Sequence, residues 1–112
     1  MSFEHHTRDG VDIVILRDRL DAAAAAGVRD DLRALIATGS ARLVLNMSGV
    51  ARIDSSGLSV LVTALKAARA AGGDVVLVGP TAAVRSLLEL TRLHRVVLIF
   101  DDEDSAVGAL AA

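Results

Sequence analysis

Short apolar runs that alternate with longer stretches of helical periodicity constrain the fold of this chain more than any other feature. The apolar runs predict strands at Phe3–Thr7, Val11–Leu16, Arg42–Asn46, Val75–Val78 and Val96–Phe100. Strands that alternate with helices of 10–17 residues are typical of an α/β domain. We therefore predict one mixed, mostly parallel sheet of about four to five strands, joined by right-handed crossovers.

Polar caps and glycines mark the ends of the predicted helices. Asp21 is a suitable N-cap for a helix that runs to about Thr38, and Gly39 follows it as the C′ residue. The other helices are predicted over about Ser56–Ala71, from Thr81 through Leu88, and after the acidic stretch Asp101–Asp104. In the second of these four helices, the side chains expected to face inward are Leu58, Leu61, Val62 and Leu65.

The composition argues against several classes of function. The chain has 112 residues, of which 53% are apolar, and its only aromatic residues are Phe3 and Phe100. The core must therefore be aliphatic, and aromatic platforms for stacking bases are missing. The net charge is −2 and the basic residues are scattered, which argues against nucleic acid as a partner. We predict one domain over residues 1–112.

The absence of cysteine and of long apolar segments bears on where the protein works. Without cysteine there are no disulfides, thiolate metal sites or cysteine nucleophiles, which fits a reducing compartment. No secretory signal is visible at the N-terminus, and charges interrupt every apolar segment well before 18 residues. The expectation is a cytoplasmic protein without direct membrane insertion, cofactor, metal site or catalytic residues.

The run from Asn46 to Leu58 follows the apolar strand residues Leu43, Val44 and Leu45, and it combines a short turn with the hydroxyl-rich start of a helix at Ser55 and Ser56. At such a helix start the backbone N–H groups lack intrahelical partners, and the helix field favours negative charge. A serine placed there is either an N-cap or a hydroxyl presented to an external group such as a kinase. Sequence position alone leaves both alternatives open, with Ser55 the better candidate for the cap.

The chain resembles a STAS domain, in particular the bacterial anti-sigma-factor antagonists, over nearly its whole length. The resemblance depends on four segments: Leu20-Asp21, Ser48 through Leu58, Val78-Gly79-Pro80, and Val84 through Thr91 leading into Ile99-Phe100-Asp101-Asp102. It implies a sheet with helices packed mainly on one face. It also implies a signalling phosphoprotein that regulates transcription, for example in a stress response, by switching between partners.

In the family that the chain resembles, the unphosphorylated antagonist binds an anti-sigma factor, and the sigma factor is thereby released. The anti-sigma factor is a serine/threonine kinase of the histidine-kinase-like ATPase superfamily, and it phosphorylates the second serine of the motif. That residue is Ser56 in this chain, with Ser55 as the alternative. A metal-dependent serine phosphatase later restores the unphosphorylated form.

The resemblance and the predicted helix faces together suggest a partner-binding surface. Its candidate residues are Asp21, Arg29, Arg33, Arg52, Asp54, Ser55, Gly57, Leu58 and Ser59. Simpler roles exist for several of them, because Asp21 is also a helix cap, Asp54 also braces the turn, and exposed arginines are often only solvated. Gly57 is expected to leave room for a partner's loop, and Arg52 to contact the partner or a phosphate.

Asn46 departs from the family pattern, which often has aspartate at this position, near the phosphorylation turn. Asparagine keeps the hydrogen-bonding shape of aspartate but lacks its charge.

Three alternative functions also stay open: a STAS scaffold subunit of a stress-sensing complex, an accessory STAS subunit of a membrane lipid transporter that packs on an ATPase, and a small-molecule or nucleotide sensor.

Overall fold

The computed structural model describes residues 2–111, which form a five-stranded sheet and four α-helices. The strands are β1 (Glu4–Arg8), β2 (Val11–Leu20), β3 (Arg42–Ile53), β4 (Asp74–Val78) and β5 (Ile99–Phe100). The helices are α1 (Ala22–Thr38), α2 (Ser55–Ala70), α3 (Ala82–Leu90) and α4 (Glu103–Leu110), with a single 3₁₀ turn at Leu93–Arg95.

The sheet is mixed, with its strands in the spatial order β1-β2-β3-β4-β5. β1 and β2 form an antiparallel hairpin closed by Asp9 and Gly10, both of which have positive φ. All the other neighbouring strands are parallel, each reached through a helical crossover. These observations confirm the predicted mostly parallel sheet.

Helices cover both faces of the sheet, but three of the four lie on the same face. Apolar side chains of α1, α2 and α3 pack with one face in the larger hydrophobic cluster, which contains Leu32, Leu65 and Leu88. Only α4, through Ala106 and Val107, packs on the opposite face. This arrangement confirms the prediction that the helices lie mainly on one face, and it brings the first turns of α1 and α2 together.

The second and third strands extend beyond their predicted ends. The prediction of a turn directly after Asn46 is therefore wrong, because β3 continues to Ile53. Ser48-Gly49 looks like a turn in sequence, yet it stays extended because β2 supplies pairing partners as far as Leu20 opposite Ile53. Two register shifts interrupt this pairing, and Asp18 between them adopts a left-handed conformation with φ +61°.

Two further sequence predictions need correction. The last strand covers Ile99–Phe100 instead of Val96–Phe100, because β4 pairs with it only at Leu77 and Val78. In α2 the buried stripe runs through Val60, Leu61, Ala64, Leu65 and Ala68. Leu58 and Val62 are only half-buried, because the small residues Gly57, Ala64 and Ala68 occupy part of the buried stripe.

Candidate functional site

Asp54, the residue between β3 and α2, is the N-cap of α2. Its Oδ1 accepts hydrogen bonds from the backbone N–H groups of Ser56 (2.9 Å) and Gly57 (3.1 Å). Ser55 is therefore not the cap, contrary to the sequence prediction, but the first residue of the helix. The bracing role considered for Asp54 is confirmed, and both serines are released from capping.

The same carboxylate also contacts α1. Asp54 Oδ2 accepts a hydrogen bond of 3.3 Å from the backbone N–H of Ala22, the first residue of α1. Asp21 caps that helix as predicted, through bonds from the N–H groups of Ala23 (3.1 Å) and Ala24 (3.3 Å). Each helix thus has its own aspartate cap, and Asp54 also joins the first turns of the two helices.

An open groove of about 420 Å³ lies between these two first turns. Ser55, Ser56 and Ser59 of α2 line one side of it, and alanines of α1 together with Arg29 line the other. Ser55 and Ser59 are exposed, and Ser56 is half-buried. The groove is therefore lined by two serines in the first turn of α2, where the backbone field favours negative charge, and by a third serine just beyond that turn.

The packing of Gly57 corrects the reason given for this glycine in the sequence analysis. Gly57 is buried, and a Cβ on it would overlap the carbonyl oxygen of Leu20 and the side chain of Ile53. The space left by the missing side chain is filled from within the chain. Glycine at this position allows α2 to approach β2 closely, and it does not leave room for a partner's loop.

The three candidate arginines are exposed but occupy different places. Arg29 lines the groove, and its Nε lies 3.4 Å from Oδ1 of Asp30. Arg33 follows one helical turn later on α1 and does not line the groove. Arg52 lies on β3 opposite Arg19 of β2, also outside the groove.

Asn46, the position that departs from the family pattern, points to the other side of the sheet. Its Nδ2 donates to Oε2 of Glu103 in α4 at 2.6 Å, and its Oδ1 accepts from the backbone N–H (3.0 Å) and hydroxyl (2.7 Å) of Ser48. Asparagine is suited to this place because it offers a donor to one neighbour and an acceptor to the other. Its side chain bonds to α4 and not to the first turn of α2.

A buried carboxylate that the sequence analysis missed lies at the start of β2. Asp12 accepts hydrogen bonds from His5 and Thr7 on one oxygen and from the backbone N–H and hydroxyl of Ser40 on the other, at 3.1–3.3 Å. Burial tends to raise the pKa of Asp12, but the hydrogen bonds from His5 and Ser40, together with the charge of the nearby His5, hold this pKa below its usual value. A charged residue between Val11 and Ile13 was the available signal.

Two kinds of feature are absent from the described part of the chain. Residues 2–111 contain no group of three or more histidine, aspartate or glutamate side chains placed to hold one metal ion. None of the helices in this range is both long enough and apolar enough to cross a membrane.

Comparison with known proteins gives one family. The family model described as "STAS domain" matches residues 2–106. The anti-sigma F factor antagonist of Paenibacillus polymyxa is 30% identical over 111 residues, which are 98% of this chain and 93% of that protein.

Two further matches involve Thermotoga maritima. A protein named as a candidate anti-sigma factor antagonist is 39% identical over 69 residues; the match spans 62% of this chain and 61%, less than two thirds, of that relative. A crystal structure of a candidate anti-sigma factor antagonist from the same organism superposes with a TM-score of 0.93 at 30% identity, covering 98% of this chain and 95% of that one.

The fold supports the same assignment as the sequence matches. The superposition extends over nearly the whole chain, including the segment from β3 into α2 that carries the two serines. Anti-sigma factor antagonists with this domain are regulatory proteins without enzymatic activity. The chain therefore belongs to the STAS domain family and, within it, to the group of the anti-sigma factor antagonists.

Proposed function

We propose that this chain binds an anti-sigma factor that is also a serine kinase, and that phosphorylation of Ser56 ends the binding. The observation that carries the proposal is the place of Ser56. It lies in the first turn of α2, in an open groove, with its backbone N–H already bonded to Asp54. Ser56 thus belongs to a helix start whose backbone geometry is fixed before any partner arrives.

The surface around Ser56 suits recognition by a protein. Ser55, Ser59 and Arg29 line the same groove, and Asp21 lies at the adjacent start of α1. The proposed surface also includes Arg33 on α1, Arg52 on β3 and the half-buried Leu58 on α2, which do not line the groove. The area offers hydroxyls, charges of both signs and small side chains, which let another backbone approach closely.

The electrostatics explain how one phosphate can end the binding without unfolding the protein. Phosphorylation adds a charge of about −1.5 to −2. In the free protein this charge stays in water beside the helix start, where the helix field offsets part of its repulsion by the Asp54 carboxylate.

In a complex, the same dianion would have to be buried or to push the partner away. An unpaired buried charge costs several kcal/mol, and each ~1.4 kcal/mol weakens affinity about tenfold. The switch then acts at the interface, while the core stays intact. A serine phosphatase would reverse it, and the cytoplasm would be the compartment in which all these partners meet.

Binding measurements on Ser56 variants test the proposal. Candidate kinases from the same genome are incubated with the protein and ATP, and the modified residue is mapped by mass spectrometry. Calorimetry with the kinase so identified should give wild-type affinity for Ser56→Ala and at least tenfold weaker binding for Ser56→Asp.

Ser55→Ala serves as the matched control, because Ser55 lines the same groove and is also free of capping. It should still be phosphorylated at Ser56. Phosphorylation at Ser55 instead, or equal affinity of Ser56→Ala and Ser56→Asp, would contradict the proposal.

A further inference from the structure

The groove between the first turns of α1 and α2 contains a single charged side chain among the residues that line it. That residue is Arg29; the rest of the lining consists of alanines, the three serines and Val60. A cation therefore shares a small, open cavity with the serine proposed to be phosphorylated. The other exposed arginines of this region, Arg19, Arg33 and Arg52, lie outside the lining.

We propose that Arg29 binds the phosphate of phosphorylated Ser56 within the same chain. This inference rests on the proposed function, because it concerns the state that the kinase produces. It assigns to Arg29 a role as the phosphate's ligand, in addition to any contact with a partner before phosphorylation.

Helix geometry favours Arg29 over its neighbours. Side chains of a helix lean toward its N-terminus, so a side chain as long as that of Arg29 can reach back toward the first turn of α1. That first turn is joined to the first turn of α2 through the bond from Ala22 to Asp54. Arg33 is one turn further along α1, about 6 Å from Arg29 along the axis, so the same lean brings its reach toward position 29 and leaves it further from Ser56.

The present contact of Arg29 leaves most of its donors available for a phosphate. Only its Nε approaches Asp30, at 3.4 Å, and both side chains are exposed, at 45% and 68%. An exposed contact of this length is weak. A phosphate dianion is a better partner for a guanidinium, because it accepts two parallel hydrogen bonds from the planar group.

Such a pair would change the binding surface in two ways at once. The phosphate adds negative charge at the groove. It also pairs with Arg29, the charged residue among those that line the groove. A partner that contacts Arg29 in the unphosphorylated complex would lose this contact. It would also be repelled by the new negative charge. The bond between Arg29 and the phosphate would then help to keep the phosphorylated form from binding its partner.

The test uses phosphoserine placed at position 56 during translation, so that no kinase is needed. The second pKa of the phosphate is measured by ³¹P NMR in the otherwise wild-type chain and in the Arg29→Gln, Arg29→Lys and Arg33→Gln variants. A neighbouring cation favours the dianion, so the pKa should be about 0.5 unit higher in Arg29→Gln than in wild type. Arg29→Lys should fall between them, since lysine keeps the charge but not the paired donors.

Arg33→Gln is the matched control, because it removes the same charge from the same helix one turn away. It should titrate like wild type, and the effect of Arg29→Gln should shrink strongly in 1 M salt, where screening acts over about 3 Å. The nearby acidic groups Asp21 and Asp54 keep their described contacts in every variant and do not produce the difference, whereas Asp30 loses its contact with Arg29 in Arg29→Gln. Amide spectra of each variant show whether the fold is retained, which exposure of Arg29 and Arg33 leads us to expect.

Equal phosphate pKa values in wild type and Arg29→Gln, or an equal shift in Arg33→Gln, would overturn the inference. Either result would leave the proposed function standing if the kinase still modifies Ser56 and the phosphorylated chain binds the kinase more weakly. A failure of the kinase to modify Ser56 would instead refute the proposed function, and the titration would still report on Arg29.

Discussion

Asp54 and Ala22, which are 32 residues apart, are joined by a hydrogen bond from the Ala22 backbone N–H to the Asp54 carboxylate. The other oxygen of that carboxylate caps α2. A single side chain therefore satisfies N–H groups at the starts of two helices and sets the spacing of the groove between them. Stability and binding geometry depend here on the same residue.

Replacing Asp54 by alanine should lower the free energy of unfolding by about 1–2 kcal/mol, because three backbone N–H groups lose their acceptor. Urea denaturation measures the change. Asp30→Ala removes an exposed carboxylate on α1 that caps nothing, and it should alter stability by less than about 0.5 kcal/mol. Equal effects of the two substitutions would refute the double capping role.

Two glycines at different depths make a second prediction. Gly57→Ala should destabilise the protein by about 1–3 kcal/mol, because the new methyl group overlaps β2 at Leu20. Gly27→Ala, in exposed α1 with no atom within 4 Å of the new Cβ, should instead stabilise it by about 0.5–1 kcal/mol. Thermal unfolding of both variants should therefore give shifts of opposite sign, and shifts of the same sign would contradict the packing described for Gly57.

The contact between Asn46 and Glu103 predicts what the aspartate common in the family would do here. In Asn46→Asp, two carboxylates would face each other where Nδ2 now donates at 2.6 Å, at a cost of about 1–3 kcal/mol near neutral pH. Glu103→Gln added to Asn46→Asp should restore most of the loss, since the glutamine can donate to the new carboxylate. A double-mutant cycle by urea denaturation measures this coupling, and additive effects would exclude the contact.

The buried Asp12 predicts a specific dependence of stability on pH. Its folded pKa lies below the unfolded value of 3.8, so its ionised form stabilises the fold above that pH. The stabilisation is lost as the pH falls from about 3.8 through the lower folded value. Asp12→Asn should be less stable than wild type by about 1–3 kcal/mol at pH 7, and the difference should shrink below 3.8. Parallel stability curves for the two proteins would contradict this account.

Local sequence signals predicted those parts of the fold that local interactions determine. The helix from Asp21 to Thr38 has its cap, its apolar stripe and its terminal glycine in sequence, and α1 has the predicted bounds. The extension of β3 to Ile53 could not be predicted in this way. It depends on hydrogen bonds to β2, about 30 residues earlier, which outweigh the turn preference of Ser48-Gly49.

The candidate site shows the same division. The position of Ser56 at a helix start follows from the sequence, but the choice of cap does not, since Asp54 and Ser55 are both good caps. Tertiary contact decides it, because Asp54 also reaches Ala22 of α1. Likewise, the presence of Arg29 in the groove, with Arg33 outside it, depends on how α1 packs against α2.

The unequal lengths of β1 and β2 have a consequence for solubility. β1 pairs with β2 only as far as Glu4 opposite Ile15, so in residues 2–111 no strand accompanies the outer edge of β2 from Leu16 to Leu20. A bare edge is a template for aggregation, yet this one carries Arg17, Asp18 and Arg19 and is bent by the left-handed Asp18. A strand from another molecule would meet charged side chains and an irregular backbone there. Pairing between copies is therefore disfavoured at the edge that leads to Asp21, next to the groove between α1 and α2.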